Sequence, residues 1–359
     1  MTDLLGDIKN LILLQNLVSG KAVGVNLTAL SKILSKHRST IKKQVERIFD
    51  NKIINRPTFP FLGLFKIYPL LVALHIDLPE KKEFVKWVKE DPHIFAAFRS
   101  RQSEYNTLIF VYHENITKYQ LWMDSLPSVL KVDYGISDVE PTFLSNTSYF
   151  SNQLMIKYKP SSGINLLARD LQENGELIIN RQRLDHLDFE IMKSLVSGKG
   201  MKVNLTLLCD ESGLHRKTVE KRIDALLQEG LISDPVCRFP NFFVPPNYVL
   251  TFSLFEVKKS KEKVIREIAR DYHVPIALKI IHGRYNLLLF GNHSSISDHL
   301  RWEENYRRRF PHSFGRANIT YLSPEMTISF DPKIVSLCII RDRLNHLRGR
   351  ELRKPLQTI

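Results

Sequence analysis

Two stretches of this chain carry side chains whose types and spacing suit one chemistry, the gripping of a polyanion. The first holds Lys36, Arg38, Ser39, Thr40, Lys42, Lys43 and Arg47, and the second holds Arg216, Lys217, Thr218, Lys221 and Arg222. In the second stretch Val219, Ile223, Leu226 and Leu227 recur at i, i+4, i+7 and i+8, which predicts one apolar helix face with the cations opposite. Gly213 interrupts the chain just before it, as a turn between two crossed helices requires. Guanidinium and ammonium groups donate to phosphates, and arginine, serine and threonine at the start of a helix can also reach base edges in a DNA major groove. An ordinary solvated amphipathic helix would show the same period, so one stretch alone decides nothing. Its recurrence says more.

His37 to Ile48 matches His215 to Leu226 at a constant offset of 178 positions (215 − 37). The same offset pairs Leu17–Lys21 with Leu195–Lys199, Val25–Thr28 with Val203–Thr206, Ile54 with Ile232 and Pro57 with Pro235. About sixteen of forty-one positions are identical without a gap. The chain is a tandem duplication, and at 359 residues each half is long enough to bury a core of its own.

The 52 Lys and Arg against 38 Asp and Glu give a net charge of +14, which favours an anionic partner. The excess is uneven: +6 over residues 1–60, none over 61–184, −1 over 185–240 and +9 over 241–359. The first basic stretch therefore lies in a cationic segment and the second does not. Further cations at Arg307–Arg309, and at Arg341, Arg343, Arg348, Arg350, Arg353 and Lys354, could add phosphate contacts or simply face solvent. Cys209, Cys237 and Cys338 stand far apart without metal-ligand or redox spacing, which fits a reducing cytoplasm. No apolar run reaches a membrane-spanning length, and there is no phosphate loop, zinc-protease motif or nucleophile elbow. These features lead us to expect no membrane partner, no metal, no cofactor and no enzyme.

The elements that must position these cations can be read from caps and periods. Residues 7–18 read as a first helix ended by Gly20, Asn26 or Thr28 can cap a second through Leu34, and Ser39 or Thr40 a third. Ile53-Ile54 then starts an extended segment, which makes a winged helix-turn-helix, and Pro57 and Pro60 mark a hinge. Next comes a strand at 70–76, a helix opened by Pro79, strands at 94–101 and 105–113, a helix from 116 stopped by Pro127, and a strand at 129–139. That order is the ferredoxin-like βαββαβ unit, an antiparallel sheet with helices on one face. The second half repeats it with strands at 248–257, 275–282, 285–291 and 314–322 and helices at 261–272 and 295–309. A further strand and helix follow each sheet, where Met155–Pro160 resembles Thr327–Pro332.

The expected class is α+β, two repeats of winged helix-turn-helix plus ferredoxin-like domain with an added strand and helix. The boundaries are 1–58 and 184–240 for the helical heads, 62–145 and 246–324 for the ferredoxin-like domains, and 146–183 and 325–359 for the added segments.

Leu184-Asp185-His186-Leu187-Asp188-Phe189-Glu190-Ile191, followed by Gly213 to Val219, Arg222-Ile223, Leu226 and Gly230-Leu231-Ile232, resembles the prokaryotic Lrp/AsnC (leucine-responsive, feast/famine) transcriptional regulators. That resemblance implies a ferredoxin-like domain of the regulation of amino-acid metabolism type, double-stranded DNA as partner and a small-molecule effector such as an amino acid. It also implies sheets packed face to face, here within one chain as a pseudo-dimer, with homo-oligomers left open. The family's effector turn maps to Gly283, Tyr285 and Asn286, and in the first half to Tyr105 and Asn106, with asparagine where the family carries aspartate. The function this implies is sequence-specific DNA binding in transcription regulation. A non-specific architectural DNA-binding protein would present the same surface. Tyr105 to Phe110 also resembles the middle strand of the siroheme decarboxylases, which makes an enzyme on this fold the competing reading.

Overall fold

The structure is a computed structural model that describes residues 3–78, 80–100, 105–130, 139–145, 155–159, 162–240, 244–280 and 284–352. Asp7 caps α1 (Ile8–Ser19) by accepting from the Lys9 and Asn10 N–H groups, and Gly20 closes it in the left-handed region. Strand β1 (Val23–Val25) leads into α2 (Leu27–Leu34), capped by Asn26, and α3 (Arg38–Asp50) follows. After the single turn α4 (Leu64–Ile67) come β2 (Leu70–Ile76), α5 (Lys82–Glu90), β3 (Ile94–Arg99), β4 (Thr107–His113), α6 (Ile116–Leu130) and β5 (Val139–Ser145). Strand β6 (Met155–Tyr158), α7 (Gly163–Asn174) and the hairpin β7 (Leu177–Ile179) and β8 (Gln182–Leu184) lead to the second half.

That half opens with α8 (His186–Val196), whose N-terminus is closed by a reciprocal pair, Asp185 accepting from the Asp188 N–H and Asp188 from the Asp185 N–H. Strand β9 (Met201–Val203), α9 (Leu205–Ser212) and α10 (Arg216–Gln228) complete its helical head. Then come β10 (Val249–Val257), α11 (Lys261–Arg270), β11 (Ile276–Lys279), β12 (Leu287–His293), α12 (Ile296–Arg309), β13 (Phe314–Leu322), β14 (Thr327–Phe330) and α13 (Lys333–Leu352). The turn before α10 has Gly213 at φ +64, while the equivalent Ser35 before α3 holds φ 51 and bears the steric cost of a Cβ there.

The two halves exchange elements. Helix α1 packs on α9 and α10 of the second head, and α8 packs on α2 and α3 of the first. Burial on several sides explains why α1 is apolar nearly all round, with Leu11, Leu13, Leu14 and Leu17 all buried. Strand β1 pairs antiparallel with β9, with Gly24 opposite Lys202, and an isolated bridge joins Thr58 to Val236. These partners are equivalent positions of the repeat, so a pseudo-twofold axis runs between them. The heads drawn from sequence at 1–58 and 184–240 are thus one interleaved unit.

The sheets are exchanged too. One has the order β14-β3-β4-β2-β5 and the other β13-β10-β12-β11-β6, so each takes its last strand from the opposite half. Alternation along β4 sends Ile109 and Val111 to the layer under α5 and α6, beside Phe84, Val88, Tyr119 and Leu126. Leu108, Phe110 and Tyr112 point the other way, into a core shared with Leu250, Phe252, Leu254 and Phe290. The Phe110 ring lies 5.4 Å from Phe252 and 5.6 Å from Phe290, and the two sheets cover each other within one chain.

Two local expectations differ from the structure. Helix α6 runs through Pro127 to Leu130, because a proline removes only one bond of the ladder and the turns on either side can continue. Ile53 and Ile54 form no strand, since both side chains plug the core and the Ile53 N–H closes back on the Ile48 carbonyl at 3.1 Å. The extended segments after them pair with each other across the axis instead. Most of the strand expected at 129–139 falls on 131–138, outside the described residues.

Truncating Phe110 should therefore cost about 3–5 kcal/mol in urea unfolding, as for other fully buried aromatic side chains. Phe110→Ala and Phe252→Ala should be non-additive, because each removes the other's partner. Additive losses would mean that the sheets do not share this core.

Candidate functional site

Helix α3 buries Ile41, Val45, Ile48 and Phe49 and turns its other side to water. Lys36, Arg38, Ser39, Thr40, Lys42 and Lys43 are all exposed. His37 caps the helix, its Nδ1 accepting from the Ser39 N–H at 3.3 Å and lying 2.7 Å from the Ser39 hydroxyl. In α10, Val219, Ile223 and Leu226 face inward, while Arg216, Lys217, Thr218 and Lys221 are exposed. Neighbouring carboxylates temper the cations, with Lys42 3.8 Å from Glu46 and Arg216 3.2 Å from Glu220. Such surface pairs are weak and yield readily to a phosphate.

Two of the arginines hold the fold together. Arg47 pairs with the buried carboxylate of Asp188, and Gln44 reaches Asp185 at 3.5 Å. Across the pseudo-axis Arg222 donates to Asp7 at 2.9 Å and to Asn10 at 2.7 Å. Each interaction ties a third helix to the first helix of the opposite half. The exposed cations, Lys36, Arg38, Lys42, Lys43, Arg216, Lys217 and Lys221, are the ones available to an incoming anion.

The effector-turn residues are also engaged locally. Asn106 donates to the Leu78 carbonyl and accepts from the Leu78 N–H, both at 2.9 Å, and Asn286 does the same with Val257 at 3.0 and 2.9 Å. Both amides thus clamp the end of the neighbouring strand as a backbone group would. Tyr105 is half-buried with its ring 6.4 Å from His75, and Tyr285 packs against the shared core. Gly283 lies outside the described residues.

A second polar constellation is not among the residues singled out from the sequence. His293, at the end of β12, is 1 % exposed, and neither ring nitrogen has a hydrogen-bond partner. It stacks with His273 at 5.2 Å and meets His299 edge-on at 4.6 Å. Asp271 accepts from His273 Nδ1 at 3.0 Å, Trp302 Nε1 at 2.6 Å and the Tyr306 hydroxyl at 2.9 Å. Burial raises the Asp271 carboxyl, but the hydrogen bonds and charge from His273 together with Trp302 outweigh it and hold the group at about 2. His273 is thereby held at Nδ1, and its Nε2 lies 3.9 Å from Asp298 Oδ2. Burial, then the neighbouring histidines, push His293 well below the ordinary imidazole value. A cavity of about 510 Å³ adjoins these groups, lined by Arg169, Asp170, Tyr272, His273, Asp298 and Trp302 among others.

The first half carries an incomplete copy. His93 and His113 stack at 4.5 Å and Trp122 donates to Asp91, each 180 positions before its counterpart, but Lys118 and Tyr119 stand where Asp298 and His299 do. The signal that could have found the cluster was this second offset, Asp91, His93, His113 and Trp122 recurring as Asp271, His273, His293 and Trp302.

No known family model matches the chain, and no curated protein matches it in sequence. Solved structures do match. The fold is that of siroheme decarboxylase NirDL. That structure superposes with a TM-score of 0.51 at 10 % identity, covering 95 % of this chain and all of NirDL. NirDL in complex with an iron-uroporphyrin III analogue gives the same TM-score at 11 % identity. A transcriptional regulator of Neisseria meningitidis, NMB0573 with L-Met, matches 38 % of this chain and 88 % of its own at 16 % identity, with a TM-score of 0.29. The two NirDL superpositions establish a shared architecture. Among the described residues no helix is long and apolar enough to cross a membrane.

Burial, then the charge of His93, depresses His113 from 6.5 to about 3. An unfolded chain takes up that proton near pH 6.5, whereas the folded one refuses it until about pH 3. The contribution to stability is therefore complete above 6.5 and is lost as pH falls toward 3. Urea midpoints across that window should fall more steeply for the wild type than for His113→Phe. Parallel slopes would show that His113 is not held neutral.

Proposed function

We propose that this chain is a sequence-specific DNA-binding regulator that reads a duplex through the first turns of α3 and α10, as a pseudo-dimer within one polypeptide. The observation that carries this reading is the division of labour along both helices. Arg47 and Arg222 are drawn inward to hold the heads together, while Arg38, Lys42, Lys43, Arg216, Lys217 and Lys221 stay exposed beside Ser39, Thr40 and Thr218. Each reading helix follows a left-handed turn residue, and the two are related by the pseudo-twofold axis, as a pair of half-sites would require. The heads are unequal in charge, so the first supplies more of the affinity and the footprint is asymmetric.

Binding should weaken linearly in log–log terms with salt, with a slope of about −0.9 per phosphate neutralised. Fluorescence anisotropy with the full chain should show Arg38→Ala/Lys42→Ala/Lys43→Ala reducing affinity and cutting that slope by about three, and Lys217→Ala/Lys221→Ala doing less. An affinity unchanged in the triple variant sinks the reading. Equal affinity for every duplex tested would replace it with the architectural one.

A second reading, a siroheme-decarboxylase-like enzyme, is favoured by the full-length likeness to NirDL and by the histidines beside the cavity. Titration with iron-uroporphyrin III separates the two. On the regulator reading its main absorption band does not move, and a stoichiometric shift in a protein that binds no DNA would transfer the proposal to the enzyme.

A further inference from the structure

We propose that His273, His293 and Asp298 form a binding site for one divalent first-row transition-metal ion, in a part of the molecule separate from the DNA-reading helices. The ligand atoms of the three residues lie within 4.8 Å of one another, and all three side chains are buried. Buried polar atoms are normally paired, so the absence of any partner for His293 Nδ1, His293 Nε2 and His273 Nε2 calls for an explanation. A shared cation accounts for His273 Nε2 and for one of the two His293 nitrogens, since each imidazole offers a single lone pair to a metal.

The surroundings are those of a ligand set held in advance. Asp271 accepts a hydrogen bond from His273 Nδ1 at 3.0 Å, which fixes the ring plane and, in the neutral ring, leaves the Nε2 lone pair to a metal, the carboxylate–histidine–metal relay common around bound metals. Asp298 is held in turn by the Ser294 N–H at 3.1 Å and the Ser294 hydroxyl at 3.2 Å. Zinc bonds of about 2.0–2.1 Å to nitrogen and oxygen put adjacent ligands roughly 3.3 Å apart. The 3.9 Å between His273 Nε2 and Asp298 Oδ2 must close by well under an ångström. Two imidazoles and one carboxylate suit zinc, cobalt, nickel or iron and not the all-oxygen preference of calcium or magnesium.

Arg169 is the opposing charge, 3.5 Å from Asp298 Oδ2. Asp170 at 3.8 Å and Glu173 at 3.9 Å can retain it when a metal takes the Asp298 carboxylate. His273 and Asp298 also line the cavity, where Arg169 would favour water or a small anion as a further ligand. The first half cannot do the same, because Lys118 occupies the place of Asp298. One ion per chain is the consequence.

The test uses full-length protein stripped of metal with chelator and titrated separately with zinc and cobalt. One cobalt per chain should bind with a visible d–d band, and X-ray absorption should report two nitrogen donors of imidazole type. His273→Gln, His293→Gln and Asp298→Asn should each weaken binding at least about tenfold with circular dichroism unchanged. Asp271→Asn should weaken it about 10–100-fold as a positioning residue, and His113→Gln should leave it intact. Failure of the wild type to bind, or binding that survives His293→Gln, overturns the proposal. Should His293→Gln not fold, the nitrogen count in the wild type decides. DNA affinity measured on the same samples reports on the regulator reading separately.

Discussion

Phe110 meets Phe252 and Phe290 in the gap between the two sheets, and every other feature of the molecule follows from the need to close that gap. Each sheet has helices on only one face, so its other face would expose side chains worth about 1.5–3 kcal/mol apiece to bury. The halves answer by stacking those faces and then by trading elements. Strand β6 completes the second sheet, β14 the first, and the helical heads swap α1 for α8. Neither half retains a complete core once these are removed. The relative placement of α3 and α10 is therefore fixed by the fold and not by a flexible linker.

Covalent duplication has a consequence that a symmetric homodimer cannot have, because the two copies of each residue are free to differ. Lys42 is matched by Glu220, and Gln44 by Arg222, so each head grips the other through an arginine at a different position, Arg47 on Asp188 and Arg222 on Asp7 and Asn10. The same divergence separates the histidine clusters. His93 Nδ1 sits 3.0 Å from the Tyr112 carbonyl, whereas His273 Nδ1 is held by Asp271, and among the described residues the second half alone places a carboxylate beside the imidazole nitrogens that have no hydrogen-bond partner.

Much of the fold was legible in the sequence, and the reasons are local. Helical period, a cap at Asn26, and the apolar run along Leu70–Ile76 are properties of short windows, and the structure places elements there. The repeat at 178 positions gave the two-half architecture. The exchange was illegible for a physical reason: a strand such as Met155–Tyr158 has the same pattern whichever sheet accepts it, so its partner is decided by tertiary packing alone. The roles of Arg47 and Arg222 were hidden likewise, because their partners Asp188 and Asp7 lie in the opposite half. Of the second cluster, the sequence shows histidines that look like ordinary strand-end residues until the sheet brings His273 and His293 side by side.

The exchange also sets the path between the two sites. Helix α7 carries Arg169 and Asp170 at the edge of the cavity and packs on α8, and α8 packs on α3. The capping pair that starts α8, Asp185 and Asp188, is the same pair of carboxylates that receives Gln44 and Arg47 from α3. The histidine cluster and α3 thus stand at opposite ends of a continuous run of packed helices. Contiguity of this kind is not coupling, which requires an element with two discrete arrangements that both sites bias. The element best placed to be one is α7: it leaves the second sheet at β6, lends Arg169 to Asp298 at 3.5 Å, and ends at Gly175 with φ +72 where the hairpin into α8 begins. Asp170 also accepts from the Tyr248 hydroxyl at the start of β10, so the helix that lends Arg169 to Asp298 is anchored to the second sheet as well.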